Sequence, residues 1–155
     1  MLPRLLLLLI LSALPAVAAD LTIVRVFTGW RDAASFKRIS EYFDGRENTG
    51  GEAVLRTHPE QRAGYYFLVR VTNPGAARSV QARLELITSL NAKPVAYTFA
   101  PVLGTGDTVF HLGLTGADWT DPKGNPVAWK LELTDTDGRV LAGEKSYLWE
   151  KPAAK

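Results

Sequence analysis

The fold is decided by residues 65–88, which read YYFLVRVTNPGAARSVQARLELIT. Residues 65–72 alternate between apolar and mixed positions, the pattern of a half-buried β-strand. The turn-forming residues 73–75 (Asn-Pro-Gly) end that strand. A second alternating run, 80–88, follows almost at once. Two such runs separated by a short polar link are typical of an antiparallel sheet with one face in the core.

Strand-like runs continue outward from this pair in both directions. The further candidates are 21–28, 52–57, 95–99, 108–114, 128–134 and 140–149. About eight short strands without βαβ alternation favour an antiparallel two-sheet sandwich, with an open barrel as the alternative. The strand phases place six side chains in its core: Phe67, Val69, Leu84, Leu86, Leu131 and Leu133.

The last two strands form a predicted hairpin. Trp129, Leu131 and Leu133 share one face, and the turn Asp135-Thr136-Asp137-Gly138 lets Gly138 take a positive φ. Residues 126–149 resemble the last hairpin of immunoglobulin-like and fibronectin-type-III-like modules of bacterial envelope proteins. The resemblance implies an immunoglobulin-like sandwich and supplies no catalytic residue. The chain has no cysteine, so the disulfide pair of true immunoglobulin domains is absent.

One short helix near the N-terminus interrupts the strand pattern. Residues 32–43 (DAASFKRISEYF) place Phe36, Ile39 and Phe43 on one helical face, with Asp32 as the N-cap. A helix this short is marginal alone, so we expect its apolar stripe to be docked on the sheets.

The first nineteen residues predict a secretory signal peptide. Arg4 supplies the positive charge, an apolar run follows, and the small residues 16–19 suit signal peptidase. We therefore expect 20–150 to be a single sandwich domain, 151–155 a flexible tail, and the protein to be periplasmic or secreted, in a bacterium. We expect no stable membrane insertion after cleavage.

Charge and composition exclude several classes of function. Arg4 is one of 18 cationic residues, which leaves 17 against 16 acidic ones in the mature chain, without a clustered basic stripe. A nucleic-acid partner is therefore not expected. The lack of cysteine excludes thiolate catalysis and thiolate metal sites. No phosphate-binding glycine motif is present, and we expect no cofactor.

The loop 115–126 (TGADWTDPKGNP) is the first candidate contact region for a partner. Asp118, Asp121 and Asn125 offer polar groups there. Trp119 is either an exposed recognition surface or a cap over the open end of the core. The second candidate is the outward face of strand 65–72, which carries Tyr66 and Arg70.

Catalytic and metal sites find little support in the sequence. Asp135-Thr136-Asp137-Gly138 lacks the calcium-loop spacing, because glycine falls fourth and Ser146 twelfth. The two histidines, His58 and His111, are far apart and neither paired with cysteine nor helix-spaced, so no metal site is expected. There is no G-x-S-x-G motif.

Three functions follow from these patterns. The first is an exported, soluble, non-catalytic module that binds a protein partner or assists an envelope assembly. The second is a carbohydrate-binding domain, which requires coplanar exposed aromatic side chains such as Tyr66 and Trp119 on one sheet face. The third is a small hydrolase, which requires His58 or His111 beside a carboxylate and a hydroxyl. The partner itself, protein or glycan, and the oligomeric state are not encoded in a recognisable motif.

Export gives a direct test. N-terminal sequencing of the exported protein is expected to begin at Ala19 or Asp20, because the small residues at 16–19 place the cleavage site there. A full-length species in the membrane fraction would contradict the prediction.

Overall fold

The computed structural model describes residues 20–150, so the expected signal peptide at 1–19 and the tail at 151–155 lie outside the described residues. The described part contains ten strands and one short α-helix, α1 (Glu41–Asp44). The strands are β1 (Thr22–Arg31), β2 (Ala53–Arg56), β3 (Gly64–Asn73), β4 (Arg78–Ser79), β5 (Gln81–Ile87), β6 (Val95–Phe99), β7 (Val102–Leu103), β8 (Gly106–Thr115), β9 (Ala128–Thr134) and β10 (Val140–Lys145). Single 3-10 turns occupy Ala33–Phe36, Gly116–Asp118 and Tyr147–Glu150.

Two four-stranded sheets enclose one core. The first sheet has the order β1-β3-β8-β2 and the second β10-β9-β5-β6, while β4 and β7 form a separate two-residue ladder. Within residues 20–150 the ladders are antiparallel except for β2, which runs parallel to β8. The predicted all-β, two-sheet sandwich is confirmed. The eight predicted strands all have a counterpart, and β4 and β7 are the two that the sequence pattern missed.

The core lies where the alternation predicted it. All six expected core side chains are buried: Phe67, Val69, Leu84, Leu86, Leu131 and Leu133. Removing such apolar side chains from water stabilises the fold by roughly 1.5–3 kcal/mol each. Trp129 shares their face but is only partly buried, with its ring edge-on to Phe67 at 5.7 Å between centroids.

The hairpin turn between β9 and β10 also forms as predicted. Gly138 has a φ of 83°, and Asp135 Oδ1 accepts hydrogen bonds from the backbone N–H groups of Asp137 and Arg139. The carboxylate is thus used to hold the turn, which explains the residue pattern without a bound ion.

The prediction of a docked helix over 32–43 is wrong. The chain forms the 3-10 turn Ala33–Phe36, extends at Lys37, and begins the separate helix α1 at Glu41. Only Phe36 packs against a sheet, whereas Ile39 and Phe43 are exposed. Asp32 precedes the 3-10 turn, yet its side chain accepts a hydrogen bond from Trp30 Nε1 at 2.9 Å in place of capping. The break at Lys37 destroys the helical spacing on which the stripe depended.

The outer face of the first sheet is covered in the region around Tyr66. Strand register places Tyr66 beside Gly113 and Arg56, and Leu68 beside His111. A Cβ at Gly113 would lie 2.4 Å from the Tyr66 ring. The absence of a side chain at this position therefore makes room for the ring. Residues 32–52 run across this face, and their attachment creates the polar features described next.

Candidate functional site

A buried guanidinium fastens residues 32–52 to the first sheet. The Arg56 side chain, on β2, is 5% exposed. Its Nη1 and Nη2 donate to the two carboxylate oxygens of Glu47 at 2.9 and 2.6 Å, and its Nε donates to the Tyr66 hydroxyl at 2.7 Å. A bidentate arginine–carboxylate pair of this kind fixes direction as well as distance. Glu47 is thereby held against the sheet.

A second arginine extends this network to α1. Arg62 Nη1 donates to Glu41 at 2.6 Å, and Arg62 Nε lies 3.5 Å from Glu47 Oε2. The Tyr66 hydroxyl in turn donates to the Arg62 carbonyl oxygen at 2.7 Å. We call these five residues, Glu41, Glu47, Arg56, Arg62 and Tyr66, the ion-pair network.

The network shifts the ionisation of its members. The hydrogen bond from Arg62 lowers the pKa of Glu41, and the hydrogen bonds from Arg56 lower the pKa of Glu47. Burial raises the pKa of the Tyr66 hydroxyl. Both carboxylates therefore carry their charge at neutral pH and keep the two guanidinium groups paired.

An apolar ring completes the attachment. Phe36 lies 4.7 Å from the Tyr66 ring between centroids. The guanidinium carbons of Arg56 and Arg31 lie 5.0 and 5.8 Å from the Phe36 ring centre. Cations over an aromatic face are attracted by its quadrupole. Phe36 thus joins the 3-10 turn to the sheet through its ring contact with Tyr66 and its cation–π contacts with the two arginines.

Beyond this attachment, α1 and the turn that precedes it project three large apolar side chains into solvent. Ile39, Tyr42 and Phe43 are 79%, 77% and 86% exposed. We call them the apolar patch. The backbone that carries them is held by Asn48, whose Nδ2 donates to Ser40 Oγ at 2.9 Å. The patch is therefore presented from a fixed base.

The loop after β8 lies at the same end of the sandwich. It is tied to residues 57–63, as α1 is, since His58 Nε2 lies 3.2 Å from Asp118 Oδ2. Asp121 is exposed, and its Oδ1 accepts the backbone N–H of Lys123. Asn125 Oδ1 lies 3.2 Å from the Tyr65 hydroxyl, which donates to it. The loop is thus held to the scaffold at two points, Asp118 and Asn125.

Trp119 caps the core from this loop. It is partly buried and packs on Tyr65 with 4.7 Å between ring centroids. Its Nε1 donates to the Asp121 carbonyl oxygen at 2.9 Å. Of the two predicted roles for Trp119, this geometry fits the cap.

The predicted surface of Tyr66 and Arg70 is not formed. Tyr66 is 1% exposed, because residues 32–52 cover the face that alternation assigned to solvent. Arg70 is exposed on β3, four residues further from the strand end that carries the loop 116–126. The structure therefore brings Asp118, Trp119, Asp121 and Asn125 together and leaves Arg70 apart.

The apolar patch was missed because Ile39 and Phe43 were assigned to the core. The apolar side chains of this segment could have predicted an exposed cluster, because glycine and charged residues flank the segment. Their helical spacing, however, fitted a docked helix equally well. No local sequence pattern predicts the role of Arg56, since its partner, Glu47, lies nine residues earlier in a glycine-rich loop.

Each of the two histidines lies beside a carboxylate. His58 faces Asp118 and, at 3.9 Å, Glu60, while His111 Nε2 lies 2.7 Å from Glu52. Within residues 20–150, neither imidazole has a side-chain hydroxyl as a hydrogen-bond partner. In the same range no cluster of three histidine, aspartate or glutamate side chains has metal-binding geometry, and no helix is long and apolar enough to cross a membrane.

The comparisons with known proteins add little to this geometry. No family model matches the chain, and no curated protein matches it. Among solved structures, the chain is similar to the crystal structure of an immunoglobulin-like protein from Pseudomonas aeruginosa, with 15% identity and a TM-score of 0.32. The match covers 83% of this chain and 96% of that one. A likeness at that score supports no inference about function.

Replacing Trp119 tests its role as a cap. Trp119→Ala is expected to lower the free energy of unfolding by about 2 kcal/mol, roughly half the cost of deleting a fully buried tryptophan, as measured by urea denaturation. Trp119→Phe keeps a ring against Tyr65 and is expected to lose less. An unchanged midpoint for Trp119→Ala would contradict the cap.

Proposed function

We propose that this chain is an exported, non-catalytic module that binds a protein partner through the apolar patch. The observation that carries the proposal is the exposure of Ile39, Tyr42 and Phe43, each above three quarters, within five residues. Contiguous large apolar side chains on a soluble surface mark interaction sites. Tyrosine in particular is enriched among the residues that dominate binding energy.

The ion-pair network gives the patch a preorganised base. Glu41, which lies between Ile39 and Tyr42, is bonded to Arg62, and Glu47 is bonded to Arg56. A surface that is already ordered before binding loses less conformational entropy when the partner docks. This ordering distinguishes the patch from a loose hydrophobic tail.

The polar groups around the patch suit a protein more than an anionic membrane. Lys37 and Arg46 are exposed near Ile39 and Phe43 in the sequence, but so is the acidic residue Asp44. Protein interfaces combine an apolar centre with a polar rim of both signs. Carboxylates at the rim repel anionic lipid, so a lipid surface is the weaker occupant.

The loop 116–126 supplies the adjoining part of the rim. Asp118, Asp121 and Asn125 lie there, beside Trp119, and the loop shares the 57–63 connection with α1. Arg70 is left out of the proposed surface. Export to the periplasm or beyond is part of the proposal and rests on the sequence pattern of residues 1–19.

The test compares binding of the wild type with that of a doubly truncated patch. Tyr42→Ala combined with Phe43→Ala is expected to weaken binding to a partner isolated from an envelope extract by thirtyfold or more, since one lost anchor costs about 2 kcal/mol. The unfolding midpoint is expected to stay unchanged, because both side chains are in solvent. Affinity is measured by surface plasmon resonance on the purified pair.

Two controls make this test specific. Tyr147→Ala removes a tyrosine that is 88% exposed in the 3-10 turn after β10, next to the second sheet, and the affinity of this variant is expected to match the wild type. Equal affinity of the double variant would contradict the proposal. Patch-dependent sedimentation with vesicles of phosphatidylglycerol, without any protein partner, would replace it with a membrane-binding function.

A further inference from the structure

The edge strand β6 of the second sheet is paired on one side only. It pairs with β5 without a register shift, and no other strand of residues 20–150 is paired with its far side. Its sequence, VAYTF, contains no charged residue, no glycine and no proline, and valine, tyrosine, threonine and phenylalanine are all enriched in strands. An edge of this kind presents backbone N–H and C=O groups with which another strand can pair.

The other three sheet edges of the described residues carry features that hinder strand addition. β1 and β10 each contain a register shift and charged residues, and the two strands lie against each other. β2 has four residues, of which Arg56 is charged and holds Glu47. Register shifts and charges are the means by which proteins block pairing at an edge. Among the edges that the structure describes, β6 is the one that has neither.

The residues of β6 and β5 select one way in which two copies of β6 can pair. Opposed residues of an antiparallel pair must share a face, so a two-fold axis falls at a residue of the strand. An axis at Tyr97 pairs all five residues of β6, whereas an axis at residue 96 or 98 pairs three. The axis at Tyr97 places Ala96 of one copy opposite Thr98 of the other.

This register also makes the charges of the two copies complementary. On the outer face of the second sheet, Arg83 lies beside Thr98 and Glu85 lies beside Ala96. With the axis at Tyr97, each cross-strand row joins Arg83 of one copy to Glu85 of the other across two small side chains. An axis at residue 96 or 98 would instead place Glu85 in one row with Glu85, or Arg83 with Arg83. Like charges facing one another across a sheet are destabilising.

The inner face of β6 gains apolar burial in the same register. Val95, which is 38% exposed, lies opposite Phe99 of the other copy. Beside Phe99 is a cleft of about 350 Å³ between β6 and β2, whose lining includes Val54 and Leu55. The Val95 side chain of the second copy therefore reaches the mouth of this apolar cleft. Its removal from water favours the pairing.

We infer that β6 is the interface of a homodimer, in which two copies of this strand pair antiparallel about a two-fold axis at Tyr97. The two second sheets then form one sheet of eight strands. Pro94 and Pro101 flank the strand and limit the ladder to its five residues. An interface of this length is small, so the dimer forms reversibly with concentration. The interface is separate from the apolar patch and goes beyond the proposed function.

Sedimentation velocity of the purified exported protein, from about 1 µM to about 1 mM, tests the interface. The wild type is expected to change from monomer to dimer across this range. Ala96→Lys combined with Thr98→Lys is expected to raise the dissociation constant about tenfold or more, because lysines then lie directly opposite one another at two places. Both side chains are exposed, so the urea midpoint of the monomer is expected to stay unchanged.

A charge-paired variant tests the register. Ala96→Lys combined with Thr98→Glu places opposite charges across the axis, so its dissociation constant is expected to stay within about threefold of the wild type. Thr136→Lys combined with Val140→Lys is the matched control for added positive charge. These two positions lie at the hairpin that carries β10, the opposite edge of the same sheet, and this variant is expected to dimerise as the wild type does.

Four outcomes would overturn the inference. They are a wild type that stays monomeric throughout the range, a dimer that tolerates the two lysines in β6, a charge-paired variant as weak as the two-lysine variant, and loss of the dimer in Tyr42→Ala combined with Phe43→Ala. The last would assign self-association to the apolar patch. None of the β6 variants changes Tyr42 or Phe43, so failure of the dimer is distinct from failure of partner binding.

Discussion

The structure depends on the pairing of the Arg56 guanidinium beneath residues 32–52. A charge that is almost fully removed from water is costly unless it is paired and hydrogen-bonded. Glu47 and Tyr66 provide that pairing, and Glu47 can do so only if its polar, glycine-rich segment lies on the sheet. The requirement of one buried cation therefore sets the path of about twenty residues that have little regular structure of their own.

This path has two consequences. Arg62 holds Glu41 in the same network, so α1 is oriented with Ile39, Tyr42 and Phe43 towards solvent. The segment also bridges the outer face of the sheet without filling it, which leaves a cavity beside His111. The exposed apolar patch and this cavity thus both result from one attachment.

Sequence patterns correctly predicted the structural features that depend on neighbouring residues. They failed for the features that depend on contacts between residues distant in the sequence. Alternation placed Phe67 and Leu84 in the core because strand phase is a local property with a period of two. The same alternation assigned Tyr66 to solvent, since it cannot show that another segment covers the outer face. Helical spacing likewise predicted that Phe43 is docked on a sheet. In the structure, the break at Lys37 and the pairing of Glu41 with Arg62 turn this side chain towards solvent. The residues around Trp119 were correctly predicted to form a loop, because turn-forming residues mark loops directly.

Hydrogen exchange in Glu47→Gln tests the central claim most directly. This substitution keeps the size of the side chain but removes the charge that pairs with Arg56. We expect the amides of Phe43 and Gly45, which are hydrogen-bonded within α1, to exchange about tenfold or more faster, while those of β3 and β8 keep their protection. Glu85→Gln, which removes the exposed pair with Arg83, is expected to change neither region. Unchanged protection of α1 in Glu47→Gln would contradict the account, because Phe36 alone would then suffice to hold the segment.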